Sequence, residues 1–251
     1  MPRSAFLVQS PAAARRGRLT SQYMQGEPPL RHRVIVHVSQ AALLQITLAT
    51  IAAYVVPRKV KGRTLRGFET YGLLLGNVVT ASKNTTAYSV EHVAIDPYAK
   101  SSRAWVVGSQ RFHDTTAETV RQFWPWTSLI GDFHSHPYPG RDRLPSVTGL
   151  SNDDRIDYEK HSRRKGQEKQ VRVFLVCSIH GLRGRQRPQR RNQLKWTLGS
   201  YRLTLDAYFG VEDHRSGKLQ IVPRHREWPK ARTPTSGRFV VTLTSAGPAI
   251  S

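Results

Sequence analysis

Residues 33 to 39, RVIVHVS, alternate apolar and polar positions, and that period of two predicts a half-buried strand. The pattern changes at Ser39, which stands as a helix N-cap in front of the apolar run QAALLQITLATIAAYVV; Pro57 ends that run. ETYGLLLGNVV, 69 to 79, predicts a buried strand bounded by glycine, and AYSVEHVAID, 87 to 96, its antiparallel neighbour. AWVVG, 104 to 108, reads as a short strand or extended segment, and DTTAETVRQFW as a helix that starts at Asp114 and stops before Pro125. SLIGDFHSH, 128 to 136, predicts a strand, SNDDRIDYEKHSRR, 151 to 164, a helix, and QVRVFLVCSI, 170 to 179, a strand buried on both faces. KWTLGSYRLTLDAYF and KLQIVP follow and read as late strands.

This alternation predicts the α/β class, with a mixed sheet flanked by helices in a single domain over residues 32–222. Residues 1–31 combine Pro, Ala, Ser, Arg and Gly without periodicity and are expected to be a disordered basic arm, while 223–251 read as a weakly structured tail. No internal repeat is visible. The chain has 251 residues, enough for one substantial core, and 38% of them are apolar, a low figure that suggests sizeable polar segments outside it.

Charge adds a second feature. With 39 Lys and Arg against 17 Asp and Glu, the net charge is +22, and the cations concentrate at RRGR (15 to 18), RKVKGRTLR (58 to 66) and RGRQRPQRR (183 to 191). Such runs attract polyanions, whether nucleic acid, acidic protein or anionic lipid, or are simply solvated surface; no RNP, zinc-finger or helix-turn-helix signal favours nucleic acid. The single cysteine, Cys177, lies in the apolar run VFLVCS and reads as a core residue, so a disulfide framework and a Cys-rich zinc site are both excluded. No apolar run approaches 18 residues and the N-terminus has too short an apolar core for a secretory signal, so the expectation is a cytoplasmic protein that does not engage membranes.

The candidate chemistry lies in GDFHSHPYPG, residues 131 to 140. On a strand, residues i and i+2 share a face, so His134 and His136 can converge on one ion with Ser135 turned away. A catalytic zinc site usually has three protein ligands, which sends the search to GLSNDDRIDYE. There Ser151 and Asp154 have the i, i+3 spacing of a capping box, an ordinary structural role. An aspartate in a helix's first turn can also face the preceding strand, and the positive helix end keeps it ionised; Asp153 is adjacent and could take the same part. His37 and His92 fall in or beside predicted strands and read as half-buried residues, no spacing supports His113, and the five tryptophans read as packing groups.

GDFHSHP followed by LSNDD, with ETYGLLLG about 60 residues upstream, resembles the JAMM motif of the JAB/MPN metalloprotease family: a glutamate near a Gly-Leu-Leu-Gly strand, then His-x-His-Pro, then Ser-x-x-Asp. The match spans roughly residues 34 to 180. The resemblance implies a JAB/MPN-like domain holding one Zn²⁺ per chain through His134, His136 and Asp154. It implies Glu69 as general acid/base on the attacking water and Ser151 as a donor to the oxyanion. It further implies a peptidase or isopeptidase whose substrate is a ubiquitin-like protein or another peptide. The alternative is a non-enzymatic JAB scaffold that holds nucleic acid or an acidic partner, although such members usually lack the zinc ligands. One departure is the spacing: thirteen residues separate Pro137 from Ser151, about twice the family's usual number, so 138–150 reads as an enlarged loop at the rim of the site. Ser146 offers a shorter spacing, but three residues beyond it stands Gly149, and that register lacks an acid.

Overall fold

A computed structural model describes residues 32–82, 84–138, 148–161, 173–182, 188–213, 218–223 and 239–245. The expected N-terminal arm, Ser146 with most of the 138–150 loop, Arg183, Arg185 and Arg187, and most of the expected tail lie outside the described residues.

Chain order begins with β1 (His32–Val38), α1 (Gln40–Val55), a hairpin of β2 (Arg58–Val60) and β3 (Arg63–Leu65), and the long pair β4 (Tyr71–Ser82) and β5 (Thr85–Ile95). A second small hairpin, β6 (Lys100–Ser101) and β7 (Val106–Val107), precedes α2 (Gln110–Phe123), β8 (Ser128–Pro137) and α3 (Asn152–His161). Among the described residues that follow, the regular elements are strands: β9 (Val173–Gly181), β10 (Gln193–Leu198), β11 (Tyr201–Asp213), β12 (Lys218–Val222) and β13 (Phe239–Ser245). Nine strands form one mixed sheet in the order β10-β11-β9-β8-β4-β5-β1-β13, with β12 also paired to β11. The sheet curls, so its far ends meet: the Leu243 N–H donates to the Arg191 carbonyl at 2.9 Å.

Ser39 caps α1 as the sequence predicts. Its hydroxyl accepts from the Ala42 N–H at 3.1 Å and donates to the Glu91 carbonyl at 2.8 Å, a cap of a kind that stabilises by about 1 kcal/mol and here also ties the helix to β5. Ala42, Leu43, Ile46, Thr50 and Ala53, spaced by three and four, bury one stripe of α1 against the sheet. The basic run after Pro57 forms a hairpin instead of an open loop, because Lys61 and Gly62 take positive φ angles of 47° and 76°, the pairing a tight two-residue turn requires.

Two expectations are corrected. α2 starts four residues before Asp114: Ser109, in extended conformation, accepts from the Phe112 N–H at 3.3 Å and is the true cap, and Asp114 instead accepts from Gln110 at i, i+4. The expected weakly structured tail contains β13, which pairs in parallel with β1 through seven residues from His32↔Phe239 to Val38↔Ser245. Phe239-Val-Val-Thr-Leu-Thr-Ser is a short β-rich run. Its isolation between polar segments hid it, since an edge strand becomes evident only once its partner is known.

The register sorts the central strands into two chemical faces. His134 pairs with Tyr71 on β4 and with Val176 on β9, and Val176 pairs with Asp206 on β11. Residues directly opposite share a face, so Asp132, His134, His136, Ser178, Asp206 and Tyr208 all lie on one side. Their neighbours Phe133, Leu175, Cys177, Leu205 and Ala207 lie on the other, where with Ile46 of α1 they join the main apolar core. A smaller apolar cluster of Leu150, Phe174, Val176, Tyr208 and Ile221 packs beneath α3 on the first side, with Tyr158 against it. No helix among the described residues is long and apolar enough to cross a membrane.

Candidate metal centre

The two histidines sit at the C-terminal end of β8, both buried, with ring centroids 4.8 Å apart. Their Nε2 atoms face each other at 3.1 Å. Asp154 Oδ2 closes a triangle, 3.2 Å from His136 Nε2 and 3.7 Å from His134 Nε2. These three residues form a group that could hold a metal ion. The fit is geometric as well as chemical, because a tetrahedral ion with bonds of about 2.0–2.1 Å has ligand-to-ligand edges of about 3.3 Å, close to the three distances observed. Two imidazole nitrogens turned toward each other and toward a carboxylate oxygen concentrate lone pairs, an arrangement a cation satisfies.

Other groups aim the ligands. The Tyr158 hydroxyl donates to Asp132 Oδ1 at 2.5 Å and lies 3.2 Å from His134 Nδ1. With its proton committed to Asp132, that hydroxyl accepts from Nδ1–H, the tautomer that leaves the Nε2 lone pair for an ion. The His136 ring hydrogen-bonds the Gly149 backbone.

Asp154 is delivered by the chain that leads into α3. Gly149 has φ +99°, and a Cβ there would collide with the Tyr208 hydroxyl, so glycine alone fits. The Leu150 N–H donates to Tyr208 Oη at 3.1 Å and the Leu150 side chain is fully buried, which pins the entry to the helix. The capping box then forms: Ser151 N–H donates to Asp154 Oδ2 at 2.8 Å, and Asp154 N–H to Ser151 Oγ at 3.1 Å. Asp154 thus belongs to the cap and the ligand triangle at once. Asp153 is exposed and outside the cluster.

Glu69 lies just before β4. The Ser135 N–H donates to the Thr70 carbonyl and the Thr70 N–H to the Ser135 hydroxyl, each at 3.0 Å, which continues the β4–β8 register and sets Glu69 opposite His136. Ser135, the residue turned away from the histidines, therefore fastens the Glu69 segment to the histidine strand. Glu69 is 5% exposed. Burial raises its carboxyl to about 7, His136 opposes that rise, and Asp154 adds to it.

Burial also works against charge on both histidines and on Asp154. The two imidazoles overcome it for Asp154, whose hydrogen bonds and charges hold the carboxyl well below the usual range. For His134 burial prevails and the pKa falls, while for His136 the carboxylates of Asp154 and Glu69 outweigh burial and raise it. The ligand set therefore contains an ionised carboxylate, as metal binding requires.

The structure brings four of the five sequence-derived residues, His134, His136, Asp154 and Glu69, into one electrostatically coupled group. Ser151 is joined to them through Asp154. Sequence reasoning missed Asp132 and Tyr158, although both carried a signal: Asp132 is two residues before His134 on the same strand face, and Tyr158 is four after Asp154 on the same helix face. It also missed Asp206, fully buried two strands away, whose carboxyl burial raises to about 7 against the pull of Arg190 and the hydrogen bond from Gln193. Tyr138, beside His136, completes the polar wall; burial pushes its hydroxyl up to about 12 against a hydrogen bond with Ser178. No protein-family model matches the chain, and no curated protein matches it.

Proposed function

We propose that this chain is a zinc-dependent hydrolase of peptide or isopeptide bonds, of the JAB/MPN type that its JAMM-like motif resembles. The observation that carries the reading is the convergence of His134, His136 and Asp154 with a buried, near-neutral Glu69 beside them. Two imidazoles with one carboxylate favour a transition metal over calcium or magnesium, which prefer all-oxygen sets, and three protein ligands leave one position open, as in catalytic zinc sites. Held by His134, His136 and Asp154, zinc would lower the pKa of a water to about 7 and polarise a carbonyl oxygen.

The chain's own residues would handle the protons. Glu69 takes a proton from the attacking water as the oxygen–carbon bond forms and delivers it to the leaving nitrogen as the carbon–nitrogen bond breaks. Its carboxyl, poised near neutrality, suits both halves of that transfer. The Ser151 hydroxyl accepts from the Asp154 N–H, so its own proton remains to be donated to the developing oxyanion. Tyr158 and Asp132 keep the His134 ring oriented throughout. The test is metal content together with cleavage: the purified protein should carry about one zinc per chain and hydrolyse peptide or ubiquitin-like substrates. His134→Ala with His136→Ala should lose both. Full zinc occupancy in the double variant would sink the site.

A further inference from the structure

Two small hairpins flank Glu69 and are coupled to it. The Glu69 N–H donates to the Ser102 carbonyl at 2.9 Å, which binds the β6–β7 hairpin directly to the residue assigned the proton transfer. Arg58 at the start of β2 spans both sides: its guanidinium donates to Ser101 Oγ at 2.9 Å and lies 4.9 Å over the ring of Phe68, the residue before Glu69. The two hairpins thus form one wall on the Glu69 side of the site.

That wall is basic without compensation. Arg58, Lys59, Lys61, Arg63 and Arg66 are exposed on the β2–β3 side, and Lys100 and Arg103 on the β6–β7 side. Neither 57–68 nor 97–108 contains a single Asp or Glu, and among the described residues no ion pair involves these cations. Two large exposed aromatics, Trp105 and Tyr98, accompany them.

We propose that the substrate polypeptide is acidic on the side of the scissile bond that passes Glu69, and that the paired β2–β3 and β6–β7 hairpins are its docking surface. This rests on the peptidase reading for its choice of partner. The hairpins touch the residues that flank Glu69, so whatever binds them is held against the proton-transfer group, and that is a polypeptide. Clustered cations attract an acidic segment at long range, and Trp105 and Tyr98 offer it apolar area.

The probe is a short fluorescein-labelled peptide of alternating Glu and Ala, followed by anisotropy on the zinc-loaded full chain, with a Gln–Ala peptide and an oligothymidylate of similar length for comparison. Lys59→Glu combined with Arg63→Glu replaces two attractions by two repulsions and should weaken the acidic peptide about tenfold at low salt, with the effect shrinking as salt rises. The control Arg33→Glu has the same charge chemistry at the opposite end of the sheet, where β1 pairs with Thr85, and should change binding by less than about twofold. A loss in Arg33→Glu of about half that of the double variant on a logarithmic scale, in proportion to the charge each reverses, would mean that net charge alone acts, and would overturn the docking surface. So would hairpin-dependent binding of oligothymidylate with no hairpin dependence for the peptide. Hairpin-dependent peptide binding by a protein that holds no zinc and cleaves nothing would leave the docking surface standing and remove the hydrolase.

Discussion

Replacing Glu69 by glutamine should make the metal-free protein more stable and the zinc-loaded protein much less active. Glu69 is buried, and its carboxyl titrates near 7 in the folded chain against 4.5 ordinarily. The folded state therefore holds this proton more tightly than the unfolded state. Stability linked to Glu69 is fully present below about pH 4.5, falls as pH rises from there, and is lost above about 7. The difference of roughly two and a half pH units corresponds to about 3 kcal/mol. Glu69→Gln keeps the shape and cannot ionise, so in chelator it should gain up to about 3 kcal/mol over wild type at pH 8 and gain little at pH 4.5. Urea denaturation at both pH values reads this directly. A gain of the same size at both would refute the burial argument, because a packing effect does not titrate. With zinc restored, the ligands remain and occupancy should be unchanged, yet cleavage should fall by about 10²–10⁴, the usual contribution of a general acid/base. Unchanged cleavage removes Glu69 from the proton transfer, and loss of zinc makes it a ligand instead.

Asp154→Ala should abolish metal binding while Asp153→Ala retains it, measured by metal content after dialysis; the reverse pattern would move the third ligand. Tyr158→Phe removes the hydroxyl that orients His134, and zinc affinity should drop by about 10- to 100-fold in a competition titration with a chromophoric chelator. An unchanged affinity would show that packing alone sets the ring. Ser151→Gly tests the serine's two tasks separately, since glycine caps a helix nearly as well but has no hydroxyl. The melting temperature should stay within a few degrees of wild type while kcat falls by about 10²–10³, and unaltered kcat would leave Ser151 as a cap only.

Much of this site was legible because period-two alternation and motif spacing are local properties. His134 and His136 share a face through strand geometry alone, and the i, i+3 relation of Ser151 and Asp154 needs nothing beyond one helical turn. Capping and metal binding stood as competing explanations of Asp154, but the two are compatible in one carboxylate, because Oδ2 accepts from the Ser151 N–H while lying 3.2 Å from His136. Asp206 was not legible: it reaches the site face only through the chain of pairings from His134 to Val176 to Asp206, which no local pattern encodes. The same holds for β13, whose partner lies some 200 residues away, and for Arg58, whose tie to the Glu69 segment runs through Ser101 and Phe68. Ser109 was a different kind of miss, since Asp114 offered an equally good cap by composition and only the extended backbone at Ser109 decides between them.

The two faces of β8 carry the functional argument further than any one residue. Phe133 faces the α1 core, where burial stabilises the fold in the ordinary way. On the other face Asp132, His134, His136, Glu69 and Asp206 are all buried, and Asp206 Oδ2 has no hydrogen-bond partner. An unsatisfied buried polar atom costs about 1–3 kcal/mol, and partly charged pairs are often no more stable than apolar side chains of the same volume. A chain selected only for folding would fill those positions as it fills the opposite face, with Val, Leu and Phe. The concentration of costly groups around one triangle of ligand atoms is therefore best explained by what the triangle binds, since an ion recovers through its ligands the stability that the apolar alternative would have supplied.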